Sequence, residues 1–146
     1  PVVQLAKESD IMLVVETGNN AIITSCYLGR KLIDDLETKH LKVLWDPANA
    51  LYCGENPSED ALDSMQGGYL GHVHMKDVEV TIHQATIKCV ALGEGQMAPH
   101  LQKIADRLND VGYDGAMSLE SVFRPSEGDF EDGFRESVSM FKTLYS

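Results

Sequence analysis

IMLVVE, residues 11–16, is an unbroken apolar run closed by an acid, the look of a short strand buried on both faces and ending in Glu16. Three further segments repeat that form: LKVLWD (41–46) ends in Asp46, GHVHMKD (71–77) carries His74 near its end, and GAMSLE (115–120) ends in Glu120. Parallel strands closing on polar residues are how a (β/α) barrel of the TIM type builds a site, because side chains from several strand ends converge on one face. Three carboxylates and an imidazole are hard donors, suited to one divalent metal ion, Mn²⁺ or Mg²⁺ first and Co²⁺ or Zn²⁺ next. The expected ligands are Glu16, Asp46, His74 and Glu120.

Working outward, Thr17-Gly18-Asn19-Asn20 reads as a turn, and Ile22, Ile23, Cys26, Leu32, Ile33 and Leu36 recur near helical spacing, which predicts a helix over about 21–39. Asp46-Pro47 stops the second strand, since proline cannot donate to a ladder. The stretch after it reads as a loop, with Ser58 as N-cap of a short helix near 59–65. The third strand spans 69–77, and 78–92 reads as irregular or a short excursion. Pro99 then suits a first helical turn; Leu101, Ile104, Ala105, Leu108 and Val111 form the apolar stripe and Gly112 the stop. A last helix over about 130–144 is expected to bury Phe134, Val138 and Phe141.

The order implies an α/β fold of four parallel strands joined by right-handed crossovers, about four C-terminal βα units or half a barrel. A closed eight-stranded barrel takes about 250 residues, and this chain has 146 and starts just before a strand. The whole of 1–146 is therefore expected to be the C-terminal half of a barrel. Its open edges favour a homo-oligomer. Within each strand, period-two alternation places Ala116 and Ser118 inward with Glu120, Leu44 with Asp46, and His72 and Lys76 with His74.

Twelve basic against twenty-three acidic residues give a net charge of -11, and with no basic run a nucleic-acid surface is disfavoured. No apolar run reaches the roughly 18 residues of a membrane span, and the start lacks a signal peptide's basic and apolar regions. Cys26, Cys53 and Cys89 have no CxxC spacing and read as reduced thiols. These features together predict a cytoplasmic protein.

In VVETGN, WDPANA, LGHVHMKD, ALGEGQM and GYDGAMSLES, in that order, the sequence resembles the xylose-isomerase-like superfamily of sugar isomerases and epimerases, strands five to eight of its barrel. The resemblance implies that Glu16, Asp46, His74 and Glu120 bind one divalent metal, and that Glu16 and Glu120 double as an acid/base pair on a keto-sugar or its phosphate through an enediolate. The chemistry is consistent with the residues: one glutamate removes a proton beside a carbonyl and the other returns it. A dehydratase of an inosose-like polyol would keep the same four ligands, and an inactive half barrel that dimerises is the non-enzymatic alternative. Asn49, His72, Lys76 and Arg124 are the candidate substrate contacts, and Gly93-Glu94-Gly95 a candidate phosphate cradle. Asn49 stands where several epimerases have a histidine. The DNA-repair branch of the superfamily, with its three-zinc cluster, needs more histidines than His72 and His74 provide.

Overall fold

The computed structural model describes residues 1–145, which form two compact units divided within one strand, the first covering Pro1–Val73 and the second starting at His74. A helix, α1 (Val2–Glu8), opens the first unit, so a helix precedes the first strand where the sequence reading had none. Strands β1 (Leu13–Glu16) and β2 (Leu41–Trp45) follow, paired in parallel from Leu13 opposite Leu41 to Glu16 opposite Leu44. Between them lies α2 (Cys26–Asp35), shorter than the expected 21–39 because its N-terminus is fixed at residue 25. There Ser25 Oγ accepts from Leu28 N at 3.2 Å, and the Glu55 carboxylate accepts from Cys26 N at 3.1 and 3.2 Å. Such caps satisfy the orphan donors of a first turn. Gly29 lets the helix lie against β2, for a Cβ there would stand 2.7 Å from Val43 Cγ2.

The stretch after Asp46 is not a plain loop. It holds α3 (Pro47–Tyr52), capped by Asp46 with proline in the first turn, and α4 (Asp60–Ser64). Ser58 is not the cap of α4: it is buried and its hydroxyl donates to Asn56 Oδ1, while Glu59 holds the cap position. Strand β3 (Leu70–Met75) pairs in parallel with β2, placing His72 opposite Leu44 and Val73 opposite Trp45. Leu41, Val43, Trp45, Val73 and Met75 are buried, whereas Leu44, His72, His74 and Lys76 are half-buried, as the alternation predicted.

In the second unit, residues 77–90 form an antiparallel hairpin of β4 (Asp77–Thr81) and β5 (Thr86–Val90), with Asp77 opposite Val90 and Thr81 opposite Thr86. This corrects the irregular reading of 78–92. Helix α5 (Ala98–Asp110) buries Leu101, Ile104, Ala105 and Leu108; Val111 is its C-cap and half exposed, not part of the stripe. Strand β6 (Ala116–Leu119) precedes α6 (Phe130–Tyr145). That last helix buries Gly133 and Ser137; of the expected stripe, Val138 and Phe141 are half-buried and Phe134 is 42% exposed, so the packed face is turned toward the small residues. The reason is close approach: a Cβ on Gly133 would fall 2.1 Å from Phe123 O, and Ser137 Oγ accepts from Leu92 N at 3.1 Å. The sheet is parallel and four-stranded, in the order β1-β2-β3-β6.

One buried side chain organises the second unit. The Asp77 carboxylate, 1% exposed, accepts from Val78 N and Met97 N on Oδ1 (both 2.8 Å) and from Gly93 N and Gly95 N on Oδ2 (2.9 and 3.0 Å). It ties the hairpin, the Gly-Glu-Gly turn and the start of α5 together. Only glycine fits at 95, where a Cβ would stand 2.4 Å from Asp77 Oδ1. Asp77→Ala leaves these buried donors without an acceptor and is expected to cost at least about 3 kcal/mol in urea unfolding. Asp77→Asn, which keeps one acceptor oxygen, should fall between that variant and the parent protein.

No disulfide joins Cys26, Cys53 and Cys89. Cys26 is buried, and burial, then the charge and hydrogen bond of Glu55, drive its thiol far above the ordinary range; Glu55 itself is raised by burial, partly offset by the Cys26 and Tyr27 backbone bonds. Cys53 is exposed and raised only by partial burial and Glu55. A thiol-reactive probe at mildly alkaline pH should label Cys53 at least about 100-fold faster than Cys26.

Candidate active site

In the first unit the ends of β1 and β2 are knotted by three side chains. The ladder continues one residue past Glu16, with Thr17 N donating to Leu44 O at 3.0 Å. The buried Thr17 hydroxyl accepts from Asp46 N at 3.0 Å and lies 3.4 Å from Asp46 O. Asp46 is fully buried and caps α3: Ala48 N and Asn49 N both donate to Oδ1 at 3.0 Å, and Oδ2 takes no part in the cap. A strand that ends in an N-cap thus fixes the carboxylate's rotamer. Asn49, expected at a sugar hydroxyl, is buried and donates from Nδ2 to Thr17 O at 3.0 Å, which makes it part of the knot. Glu16 is exposed at the end of β1. His72 lies back along β3, opposite Leu44.

In the second unit two ionisable side chains close on one carboxylate oxygen of Glu120. Lys76 Nζ lies 2.8 Å and His74 Nδ1 3.6 Å from Glu120 Oε2. Exposure of these side chains is 11% for Lys76, 19% for His74 and 36% for Glu120. Adjacent strands explain the meeting, because Glu120 N donates to Met75 O at 2.9 Å and brings the end of β6 beside that of β3. Lys76, a candidate substrate contact, therefore pairs with Glu120, while Glu79 bonds Lys88. Arg124 is exposed and donates from Nε to Gly128 O at 3.0 Å, turned onto its own loop. The Gly-Glu-Gly turn is no phosphate cradle: Gly93 N and Gly95 N go to Asp77, and Glu94 N goes to Ala91 O.

Each unit brings two ligand-type side chains to its strand ends, Glu16 and Asp46 in the first and His74 and Glu120 in the second. Oxygen donors with one imidazole fit a hard to borderline divalent ion. Two supporting residues escaped the sequence reading. Thr17 reads in the sequence as a turn residue, although a β-branched hydroxyl directly after a strand-closing acid is a signal. Ser121, directly after Glu120, donates to Gly133 O at 3.3 Å and lies 3.4 Å from Ser137 Oγ, anchoring the segment that carries the glutamate to α6.

Residues 1–144 match the family described as xylose isomerase-like TIM barrel. No curated protein matches the chain. Among solved structures, the chain is similar to the E. coli 3-keto-D-glucoside 4-epimerase, with 21% identity, TM-score 0.75, and 97% of this chain against 49% of that one. It is also similar to D-psicose 3-epimerase from Clostridium cellulolyticum H10, at 20% identity and TM-score 0.68 over 98% and 52%. A probable 3-DHS dehydratase from Bacillus anthracis has 16% identity and TM-score 0.75 over 96% and 53%. The chain spans about half the length of these structures. At these identities the likeness shows the fold, and the family match over nearly all residues settles membership: this chain belongs to the xylose isomerase-like TIM-barrel family.

Proposed function

We propose that the protein is a divalent-metal-dependent isomerase or epimerase of a sugar or sugar phosphate, acting on a keto-sugar through an enediolate. The observation that carries this reading is the repeated placement of ligand-type side chains. Each of four parallel strands bears one at, or within one residue of, its C-terminal end: Glu16, Asp46, His74 and Glu120. Residues 1–146 would correspond to the C-terminal half of the barrel, with β1, β2, β3 and β6 as strands five to eight. The half-length coverage of the matched structures supports that correspondence.

In this reading Glu16, Asp46, His74 and Glu120 hold one ion, Mn²⁺ or Mg²⁺ before Co²⁺ or Zn²⁺. When bound, it supplies positive charge that steadies an oxyanion developing on the substrate. The protein's own residues handle the proton. Glu16 and Glu120 flank the substrate; one, as the carboxylate, takes the proton from the carbon beside the carbonyl, and the other, entering as the protonated acid, gives its own proton back to that carbon. Return on the opposite face inverts that carbon. Lys76 holds Oε2 of Glu120 through an ion pair, so the glutamate has a defined orientation before substrate arrives. Asp46 is held by the α3 cap in the same sense. Strands β1 and β6 are the two edges of the sheet, and edges invite pairing; a homo-oligomer is the assembly this reading expects. No helix among the described residues is long and apolar enough to cross a membrane.

The test is proton exchange. The Mn²⁺-loaded protein, incubated with ketoses in deuterated water, should place one deuterium on the carbon next to the carbonyl. Glu120→Gln should slow this by about 10²–10⁴-fold with the circular dichroism spectrum unchanged. Full turnover in that variant would remove the two-glutamate mechanism. Loss of water to a product absorbing in the near ultraviolet, without epimer, would favour the inosose-type dehydratase reading instead. Metal binding with no chemistry on any sugar is the result expected of an inactive half barrel.

A further inference from the structure

We propose that the substrate is an unphosphorylated, uncharged keto-sugar and not a sugar phosphate, an inference that rests on the isomerase reading above. TIM barrels frequently hold a substrate phosphate with the loops after strands seven and eight and a helix N-terminus there. Those strands are β3 and β6 in the proposed correspondence. The groups that would do this work are already engaged by the protein's own carboxylates and carbonyls.

After β3, the backbone N–H groups of the glycine turn close on Asp77: Gly93 N and Gly95 N bond Oδ2, and Met97 N, at the entry to α5, bonds Oδ1. Asp77 is 1% exposed, and a Cβ at 95 would clash with it, so no room for a phosphate is left between carboxylate and turn. After β6, the N-terminus of α6 is filled in the same way. Asp129 Oδ1 accepts from Glu131 N at 2.9 Å and Asp132 N at 3.1 Å, while Asp132 Oδ2 accepts from Asp129 N at 2.9 Å. Glu131 puts a further acid beside Asp132 in that first turn.

The cations tell the same story. The Lys76 ammonium pairs with Glu120 at 2.8 Å, Arg124 donates to Gly128 O, and Arg135 pairs with Glu131. A phosphate monoester carries a charge of about −1.5 to −2 near neutral pH. It would have to enter a chain of net charge -11 and displace carboxylates from both helix N-termini. A neutral polyol needs only hydrogen bonds, and its recognition leaves these contacts intact.

The experiment has two arms. In the first, inorganic phosphate is titrated calorimetrically into the metal-free protein. No saturable binding below about 1 mM is expected, and tighter binding would overturn the proposal whether or not the protein is an enzyme. In the second, the Mn²⁺-loaded protein is given D-fructose and D-ribulose beside their terminal phosphate esters in deuterated water. The free ketose should exchange with a kcat/KM at least about 100-fold above that of its ester. Faster exchange of an ester would overturn the substrate class and leave the isomerase reading standing. No exchange on either member of both pairs would overturn the isomerase reading, and this assignment with it.

Discussion

Burying the carboxylate of Asp46 at a strand end obliges the surrounding backbone to supply donors, and much of the first unit's local structure is the answer to that demand. A buried charge without hydrogen bonds would cost several kcal/mol. Two come from Ala48 N and Asn49 N, so a helix must start directly after β2, and Pro47 gives that helix its first-turn geometry. The aspartate's own N–H is taken up by Thr17, whose carbonyl in turn accepts from Asn49. The end of β1, the end of β2 and the start of α3 are thereby fixed as one piece, with Glu16 carried at its rim.

The second unit solves the same problem with Asp77. Its carboxylate lies among four backbone N–H groups, where a helix cap would offer two or three. The consequence is steric as well as electrostatic, because the turn must pass so close that position 95 tolerates only glycine. By contrast, Glu120 is held by a side chain, Lys76, and stays 36% exposed. Structural acids in this chain are buried against backbone donors, whereas the proposed acid/base residues, Glu16 and Glu120, retain access to solvent and so to substrate.

The four strands and their closing residues were legible because an apolar run closed by a polar residue is a local pattern, as in LKVLWD; β1, expected to be buried on both faces, has no buried residue and leaves Val14 44% exposed. What escaped was set by nonlocal contacts or weak turn chemistry. The hairpin of β4 and β5 has β-branched alternation in VEVT and TIKCV, but its turn has no glycine or asparagine; Ala85 takes the left-handed conformation instead, at φ 51°. In α6 the apolar residues outvote Gly133 and Ser137, whose burial depends on Phe123 and Leu92, so the sequence places Phe134 in the core and misses the two small residues. The short α3 was hidden by Asp46-Pro47, which reads equally as a turn and as a cap followed by a first-turn proline. For the candidate site, the ligand-type residues that stand at the strand ends, and their order, were readable. That Asn49 works as a tie, Lys76 as a partner of Glu120 and Gly93 to Gly95 as a wrap for Asp77 depended on which donors meet which acceptors, and no local pattern encodes that.

The central claim is that the four strand ends bind a single ion, and equilibrium dialysis of the metal-free protein against Mn²⁺ tests it most directly. The account predicts about one ion per chain, released as pH falls and carboxylates and imidazole protonate, and its loss in His74→Ala with the fold intact. No bound ion in the parent protein at millimolar Mn²⁺, or undiminished binding in His74→Ala, would contradict it.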